Sequence, residues 1–202
     1  YSLMDQEILN SYSRINHLNV SRETFLDFEN YISMILEKNE KINIISQNTA
    51  SKKAIIDRHI IDSAQIIDFI DLNRSICTDI GSGSGLPGIV LAIIMKHKKS
   101  NMKFILYEKS FHKSNFLKEV TSKFNLNVEV LEKDIFEEKN LESDIIVARA
   151  FKPLPVVLDL IHNNFRYFRE VILFLGKNGK EILKEALLKW KFKYEEKISI
   201  TS

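Results

Sequence analysis

The sequence contains almost none of the residue that builds disulfide frameworks and zinc sites. Cys77 is the one cysteine among 202 residues. A single cysteine excludes a disulfide within the chain and a metal site made from several cysteines. Because Cys77 stands in an apolar run, we expect a buried and unreactive thiol.

Long hydrophobic runs and a strong charge of one sign are also lacking. The longest nearly uninterrupted apolar stretch, 86–95, is too short to span a bilayer, and no basic-then-apolar signal segment opens the chain. We therefore expect a soluble, cytoplasmic protein with no membrane partner. The formal charge of +2 does not by itself indicate nucleic acid. Lysines do cluster within 96–99 and 109–123, and charge alone favours an ordinary solvated surface there.

The composition that remains is typical of a globular protein, and the periodicity changes once along the chain. Apolar residues recur at helical spacing up to about residue 72, after which short apolar strands alternate with amphipathic helices. We divide the chain into an N-terminal helical segment packed on the core, 1–72, and a second domain, 73–202. The predicted helices cover 4–16, 21–38, 52–70, 86–98, 112–124, 154–168 and 179–190, and the predicted strands cover 76–80, 103–108, 127–131, 144–149 and 171–175.

This alternation predicts an α/β protein with a mostly parallel, Rossmann-like sheet flanked by helices and an N-terminal helical extension. Ligands of such sheets bind outside the carboxyl ends of the strands, where the strand order reverses. Residues that directly follow the predicted strands are therefore the candidates for a functional site.

A glycine-rich loop follows the first predicted strand. Asp79 precedes Gly81, Gly83 and Gly85, and Leu86 stands where a dinucleotide-binding loop has its last glycine. No lysine follows in the way that a phosphate-binding P-loop requires. An acid in front of the loop would repel a pyrophosphate, but it would attract the ammonium group of a methionine moiety. The pattern therefore favours S-adenosyl-L-methionine as cofactor, bound by these five residues.

Two further acids follow the next strands. Glu108 ends the second strand, where a carboxylate can accept hydrogen bonds from both hydroxyls of a ribose. Asp134 follows the third strand, where it can receive an adenine amino group, with the backbone of Ile135 beside it. Either acid taken alone could be an ordinary surface residue. Their combination with Asp79 favours a nucleoside-containing cofactor.

With these residues in view, the chain resembles the RsmG family, also called GidB, from about residue 39 to about residue 175. Members of that family methylate N7 of a guanine in the decoding-region loop of bacterial 16S ribosomal RNA. The resemblance implies a class I methyltransferase whose partner is 16S ribosomal RNA or the small ribosomal subunit. The motifs that carry it are Asn43-Ile44-Ile45-Ser46, Arg58-His59-Ile60-Ile61-Asp62-Ser63, the loop Gly81 to Gly88, and Arg149-Ala150-Phe151.

The resemblance also assigns roles that the residues alone leave open. Arg58 and Asp62 stand four apart on a helix, which an ordinary surface ion pair would explain, and His59 could be a core histidine. The resemblance implies instead that Asn43, His59 and Asp62 support the active site, on a helix face turned towards the cofactor loop. Arg149 closes the fourth strand, and we expect it to contact both cofactor and target as the catalytic residue.

Two features depart from the family pattern. The family has Leu-Lys-Gly after the fifth strand, whereas this chain has Leu175-Gly176-Lys177, so that Lys177 matches the supporting lysine only with a shift. The family also continues into a further strand, whereas the sequence given ends at Ser202. We expect either a truncation or a shortened sheet edge at that end.

The implied chemistry requires no metal and no dedicated base, because the N7 lone pair of guanine carries no proton. Arg149 could donate to the guanine O6 atom while leaving N7 free. We expect a monomer. Two other functions stay open from the residues alone: a methyltransferase that acts on a small molecule or a protein, and a non-catalytic nucleotide-binding module.

Overall fold

The computed structural model describes residues 3–149, 152–176 and 178–189. Its strands are β1 Ile76–Asp79, β2 Lys103–Tyr107, β3 Val128–Leu131, β4 Leu141–Glu142, β5 Ile145–Ala148, β6 Phe165–Tyr167 and β7 Glu170–Leu173. Its α-helices are α1 Leu3–Ser11, α2 Arg22–Asn39, α3 Lys52–Ile55, α4 Asp62–Ala64, α5 Gly88–His97, α6 Phe111–Lys123, α7 Leu154–Asn164 and α8 Gly179–Lys189. A π-helical turn, Ile56–Ile61, joins α3 to α4, and 3₁₀ turns cover Ser13–Leu18, Gln47–Thr49, Gln65–Phe69 and Ile135–Glu137.

Within the part of the chain that the structure describes, the main sheet has five strands in the order β3-β2-β1-β5-β7, and each neighbouring pair is parallel. In the central register Thr78 of β1 lies between Ile105 of β2 and Ile146 of β5. The order reverses between β1 and β5, so the carboxyl ends of these two strands border the crevice at the switch point. The structure thereby confirms the parallel sheet predicted from the alternating pattern.

Side chains of the strands alternate between two apolar cores. Ile145 and Val147 of β5 pack into the larger core with α2, α5 and α6, whereas Ile146 and Ala148 pack on the opposite side with α7. This period of two requires each central strand to be apolar on both faces, which explains its nearly continuous hydrophobic sequence. Helices therefore flank the sheet on both sides.

The N-terminal helices join the larger of these cores. Helix α2 begins after Ser21, whose side chain accepts a hydrogen bond from the backbone of Thr24. Its apolar stripe includes Phe25 and Phe28, which contact the ring of Tyr12. The same core contains strand residues of β1 and β2. The sheet face on this side is therefore covered partly by residues that precede the α/β segment.

Two helix predictions are corrected by the structure. The helix predicted over 4–16 divides after Ser11, because the chain bends at Tyr12 and Ile15 to bury both side chains. The helix predicted over 154–168 ends at Asn164, and β6 follows, paired in parallel with β4. Backbone pairing at 165–167 replaces the helical hydrogen bonds that the apolar spacing predicted.

Within the described residues, no helix is long and apolar enough to cross a membrane. The same part of the chain contains no group of three or more histidine, cysteine, aspartate or glutamate residues that could hold a metal ion.

Candidate active site

The glycine loop is held in shape by the carboxylate of Asp79 at the end of β1. Its Oδ2 atom accepts a hydrogen bond of 2.9 Å from the backbone nitrogen of Gly88, and Oδ1 accepts one of 3.3 Å from that of Gly81. The first nitrogen of α5 is thus capped by Asp79. The carboxylate lies beneath the loop rather than at its surface, since Asp79 is 1% exposed.

Burial raises the pKa of Asp79 from 3.8 to about 7, although the bonds from Gly88 and Gly81 act in the opposite direction. The electrostatic attraction to a ligand ammonium that the sequence suggested for Asp79 stays a prediction. Its direct partners in the structure are backbone amides of the loop.

A tyrosine from the N-terminal segment fixes the other side of the loop. The hydroxyl of Tyr31 in α2 donates to the carbonyl of Ser84, and the tyrosine is fully buried. Gly85 has φ of +107°, and a Cβ atom there would lie 2.7 Å from Tyr31 Oη and 2.9 Å from Ile89 Cβ. Only glycine therefore permits this close approach between α2 and the loop.

Gly83 differs from Gly85 in its surroundings. Its φ of +56° also favours glycine, but a Cβ atom there would meet no atom within 4 Å. The bare backbone at Gly83 therefore borders open space. A ligand can approach the loop most closely at this position.

Glu108 and Asp134 both lie where the sequence placed them, after β2 and β3. Glu108 is half-buried, and its Oε2 atom accepts a hydrogen bond of 3.2 Å from the backbone of Ser110. The Oδ1 atom of Asp134 accepts one of 3.0 Å from the backbone of Phe136. Each carboxylate is thus oriented by its own loop. Because β2 lies next to β1, Glu108 follows the strand adjacent to the one that leads into the glycine loop.

The loop after β3 is positioned by a residue from α7. The side-chain nitrogen of Asn164 donates to three carbonyls of that loop, at 3.3 Å to Ile135, 3.1 Å to Phe136 and 2.7 Å to Glu138. Ile135 is buried. These hydrogen bonds from Asn164 fix the backbone beside Asp134.

A cleft of about 280 Å³ opens at the switch point. It is lined by the loop residues 81–84 with Leu86, by Ile44 to Ser46 with Thr49, and by His59 and Arg149. The cleft therefore brings together residues of all four segments that carry the family resemblance. Glu108 and Asp134 are not among its lining residues.

Arg149, the residue after β5, is held by the helical segment that contains the π-helical turn. Its Nη2 atom donates to the carbonyl of Arg58 at 3.1 Å and lies 3.8 Å from Oδ2 of Asp62. Its guanidinium carbon also lies 5.2 Å from the centre of the Phe174 ring. The Nη1 atom is buried and has no hydrogen-bond partner within the described part of the chain. One side of the guanidinium is therefore fixed, and the other is available to a ligand.

Arg149 also borders a second cavity, of about 380 Å³, at the carboxyl ends of β5 and β7. Leu173 and Phe174 line it from β7 and the residues after it, and Leu154 and Ile182 line it from α7 and α8. Most of this lining is apolar, as in sites for planar ligands. Arg149 therefore lies between a polar cleft at the glycine loop and an apolar cavity.

His59 lies in the π-helical turn and lines the cleft beside Arg149. Burial, together with the positive charge of Arg149, lowers the pKa of His59 to about 4. Asp62 acts in the opposite direction. The imidazole is therefore neutral at physiological pH.

Not every residue suggested by the sequence reaches the cleft. Asn43 is exposed and is not among the lining residues, although Ile44 and Ile45 after it are. Lys177 lies outside the described residues, as do Ala150 and Phe151 of the motif that begins at Arg149.

Sequence reasoning missed three polar residues that hold the site together. Besides Tyr31 and Asn164, the buried side chain of Asn39 accepts hydrogen bonds from the backbone of Ile44 at 2.8 Å and Ile45 at 3.0 Å. A tyrosine or an asparagine inside an apolar helical stripe is the signal that could have found them, because a buried polar group requires a partner.

Comparisons with known proteins identify the family of this chain. The family model GidB, described as rRNA small subunit methyltransferase G, matches residues 24–202. The ribosomal RNA small subunit methyltransferase G of Pelagibacter ubique is 52% identical over 197 residues, which cover 98% of this chain and 92% of that protein. The protein of the same name from Orientia tsutsugamushi strain Ikeda is 34% identical over 184 residues, or 91% of this chain and 87% of that protein. Because the match extends over nearly the whole of both chains, this protein belongs to the GidB family of rRNA small subunit methyltransferases.

Proposed function

We propose that this protein transfers a methyl group from S-adenosyl-L-methionine to N7 of a guanine in the decoding-region loop of 16S ribosomal RNA. The observation that carries the proposal is the cleft at the switch point, where the glycine loop, His59 and Arg149 of the family motifs meet. The protein acts as a cytoplasmic monomer on the RNA or on the small ribosomal subunit. Its segment 1–72 is a helical extension packed on the methyltransferase domain, 73–202.

The residues present fit the cofactor. The open space at Gly83 admits a ligand against bare backbone, in the cleft that His59 and Arg149 also line. Glu108 binds the ribose hydroxyls, and Asp134 with the Ile135 backbone receives the adenine. S-adenosylmethionine supplies a methyl group on a positively charged sulfur, which a nucleophile can take directly.

The target nitrogen needs no deprotonation, because the N7 lone pair lies in the ring plane and is free. The protein therefore contributes alignment, which can account for about 7–11 kcal/mol of a barrier when the geometry is well fixed. Arg149 performs this alignment at the junction of the two cavities. On its fixed side, Arg149 donates to the carbonyl of Arg58 and forms an ion pair with Asp62. Its Nη1 atom donates to the guanine O6 atom, so that N7 stays accessible.

The base must leave its stack to reach Arg149. Unstacking costs a few kcal/mol and least in single-stranded or loop RNA, which suits a target in a ribosomal RNA loop. The apolar cavity beside Arg149 offers a surface of Phe174, Leu173 and Leu154 for the extruded base.

The test uses ribosomal RNA and small subunits that lack the modification. The purified protein and tritium-labelled cofactor are incubated with each substrate, and the nucleosides are identified by mass spectrometry. We expect the label on 7-methylguanosine. Arg149→Ala should lower the single-turnover rate far more than it weakens cofactor binding, and Arg149→Lys should restore it only in part, because lysine lacks the planar fork.

A matched control is Arg166→Ala, since Arg166 is exposed on β6 and bonds to Glu142 away from both cavities. It should turn over normally. Label on an exocyclic amine or a ribose hydroxyl, or normal turnover by Arg149→Ala, would contradict the proposal. Glu108→Ala tests the cofactor site separately and should weaken cofactor binding about tenfold to a hundredfold, from roughly 1.5–3 kcal/mol for bonds to a charged acceptor.

A further inference from the structure

His59 lines the cleft beside Arg149 and the glycine loop. Its Nδ1 and Nε2 atoms are both buried, and neither has a hydrogen-bond partner among the described residues. A buried polar atom without a partner costs about 1–3 kcal/mol, so such atoms are rare in native proteins. An apolar ring at this position would avoid the cost of the unpaired atoms. The presence of an imidazole instead indicates that a bound ligand supplies the missing hydrogen bond.

The groups around the imidazole do not supply it. The Nη2 atom of Arg149 donates to the carbonyl of Arg58 and lies near Asp62. The charges of these three residues affect His59 electrostatically, with both arginines opposing its protonation and Asp62 favouring it. The ring therefore remains a neutral imidazole, with one N–H that can donate and one nitrogen that can accept.

The cavities indicate which part of a ligand His59 faces. Arg149 borders both cavities, whereas His59 borders the cleft with the glycine loop and is not among the residues that line the apolar cavity. Glu108 and Asp134, the candidates for ribose and adenine, follow β2 and β3, whereas β5 and Arg149 lie on the other side of β1. The part of the cofactor nearest His59 is therefore the end remote from the adenine, its amino-acid group.

We propose that His59 is a cofactor-binding residue whose ring N–H donates a hydrogen bond to the α-carboxylate of the methionine moiety of S-adenosylmethionine. This proposal rests on the cofactor assigned above. A neutral imidazole suits the position, because it can bind the carboxylate without placing another full positive charge beside the sulfonium and Arg149. His59 lies in the π-helical turn, a feature that is frequent at functional sites, and lines the cleft.

The test compares two ligands that differ in the amino-acid group. S-adenosylhomocysteine has the α-carboxylate, and 5′-methylthioadenosine lacks the whole amino-acid group. Calorimetry should show that His59→Phe and His59→Ala weaken binding of S-adenosylhomocysteine at least tenfold, while binding of methylthioadenosine changes less than twofold. His59→Gln keeps an N–H donor and should recover part of the lost affinity.

The matched control is His162→Phe, because His162 is exposed on α7 and is not among the residues that line either cavity. It should bind both ligands like the wild type. Equal weakening of both ligands in the His59 variants would show a general loss of structure and overturn the proposal. Unchanged binding of S-adenosylhomocysteine in both His59→Phe and His59→Ala would overturn it as well.

A wrong cofactor assignment and a wrong role for His59 would give different results. If the wild-type protein bound neither ligand, the cofactor assignment itself would be wrong. If it bound both ligands and the His59 variants bound them equally well, only the role of His59 would be wrong. Thermal unfolding of each variant, followed by circular dichroism, shows whether it is folded, and His59→Ala decides the result if the larger ring of His59→Phe is not accommodated.

Discussion

At the scale of single residues, the buried carboxylate of Asp79 connects the fold to ligand binding. Its pKa of about 7 results from burial, so a large fraction of the carboxyl is protonated at pH 7 in the free protein. A ligand ammonium near the loop would stabilise the carboxylate and lower that pKa. We therefore predict that binding of S-adenosylhomocysteine at pH 7 releases a fraction of a proton.

Calorimetry in two buffers with different enthalpies of ionisation measures this release directly. Asp79→Asn, if it still binds the ligand, should show none. In the free protein His59 is neutral at this pH, because its pKa is about 4. Net proton uptake by the wild type, or binding without any proton exchange, would show that Asp79 is not coupled to the ligand and only shapes the loop.

At the scale of elements, helix α2 supports the glycine loop through one hydroxyl. We predict that Tyr31→Phe lowers the free energy of unfolding by about 1–3 kcal/mol, because the buried carbonyl of Ser84 loses its donor. Affinity for S-adenosylhomocysteine should fall as well, since the loop is then less rigidly held. Denaturant unfolding and calorimetry measure the two effects.

Tyr12→Phe is the matched control for this prediction. Tyr12 is equally buried in the same core, but its hydroxyl has no hydrogen-bond partner in residues 3–149, 152–176 and 178–189. Removing that hydroxyl should leave the free energy of unfolding unchanged or raise it. If the two substitutions had the same effect, the bond between Tyr31 and Ser84 would not be what stabilises the loop.

At the scale of the whole molecule, the distribution of lysines separates two surfaces. Lys96 and Lys98, at the far end of α5 from the glycine loop, bond within the protein to the carbonyls of Phe124 and Leu18. Lys109 and Lys113 instead flank the start of α6, directly after Glu108. We propose that this second pair contacts the RNA backbone at the rim of the site.

Binding of ribosomal RNA should then weaken linearly with salt on a log–log plot. The variant with both Lys109→Ala and Lys113→Ala should have a slope smaller in magnitude by about one unit for each lysine. The control variant changes Lys99, which follows α5, and Lys123, which ends α6. Both lysines lie at the opposite end of the sheet. An unchanged slope in the first variant would mean that these lysines are only solvated surface.

Structural features that depend on residues close together in the sequence could be predicted from the sequence alone. The alternation of short apolar strands with amphipathic helices predicted the parallel sheet, and the glycine spacing after Asp79 distinguished the loop from a P-loop and a dinucleotide site. The positions of Glu108, Asp134 and Arg149 followed from the rule that strand ends meet at one edge. These inferences hold because short-range patterns reflect local backbone geometry.

The tertiary structure alone decided which polar groups are paired. Tyr31 and Ser84 are 53 residues apart in the sequence, and Arg149 and Arg58 are 91 apart. No local pattern specifies such bonds, since they form only when packing removes water and each buried donor must find an acceptor. The same requirement explains why Asn164 at the end of α7 donates to the loop carbonyls and why the Asp79 carboxylate accepts from the loop amides. The ring nitrogens of His59 are an exception, because they have no partner in the part of the chain that the structure describes.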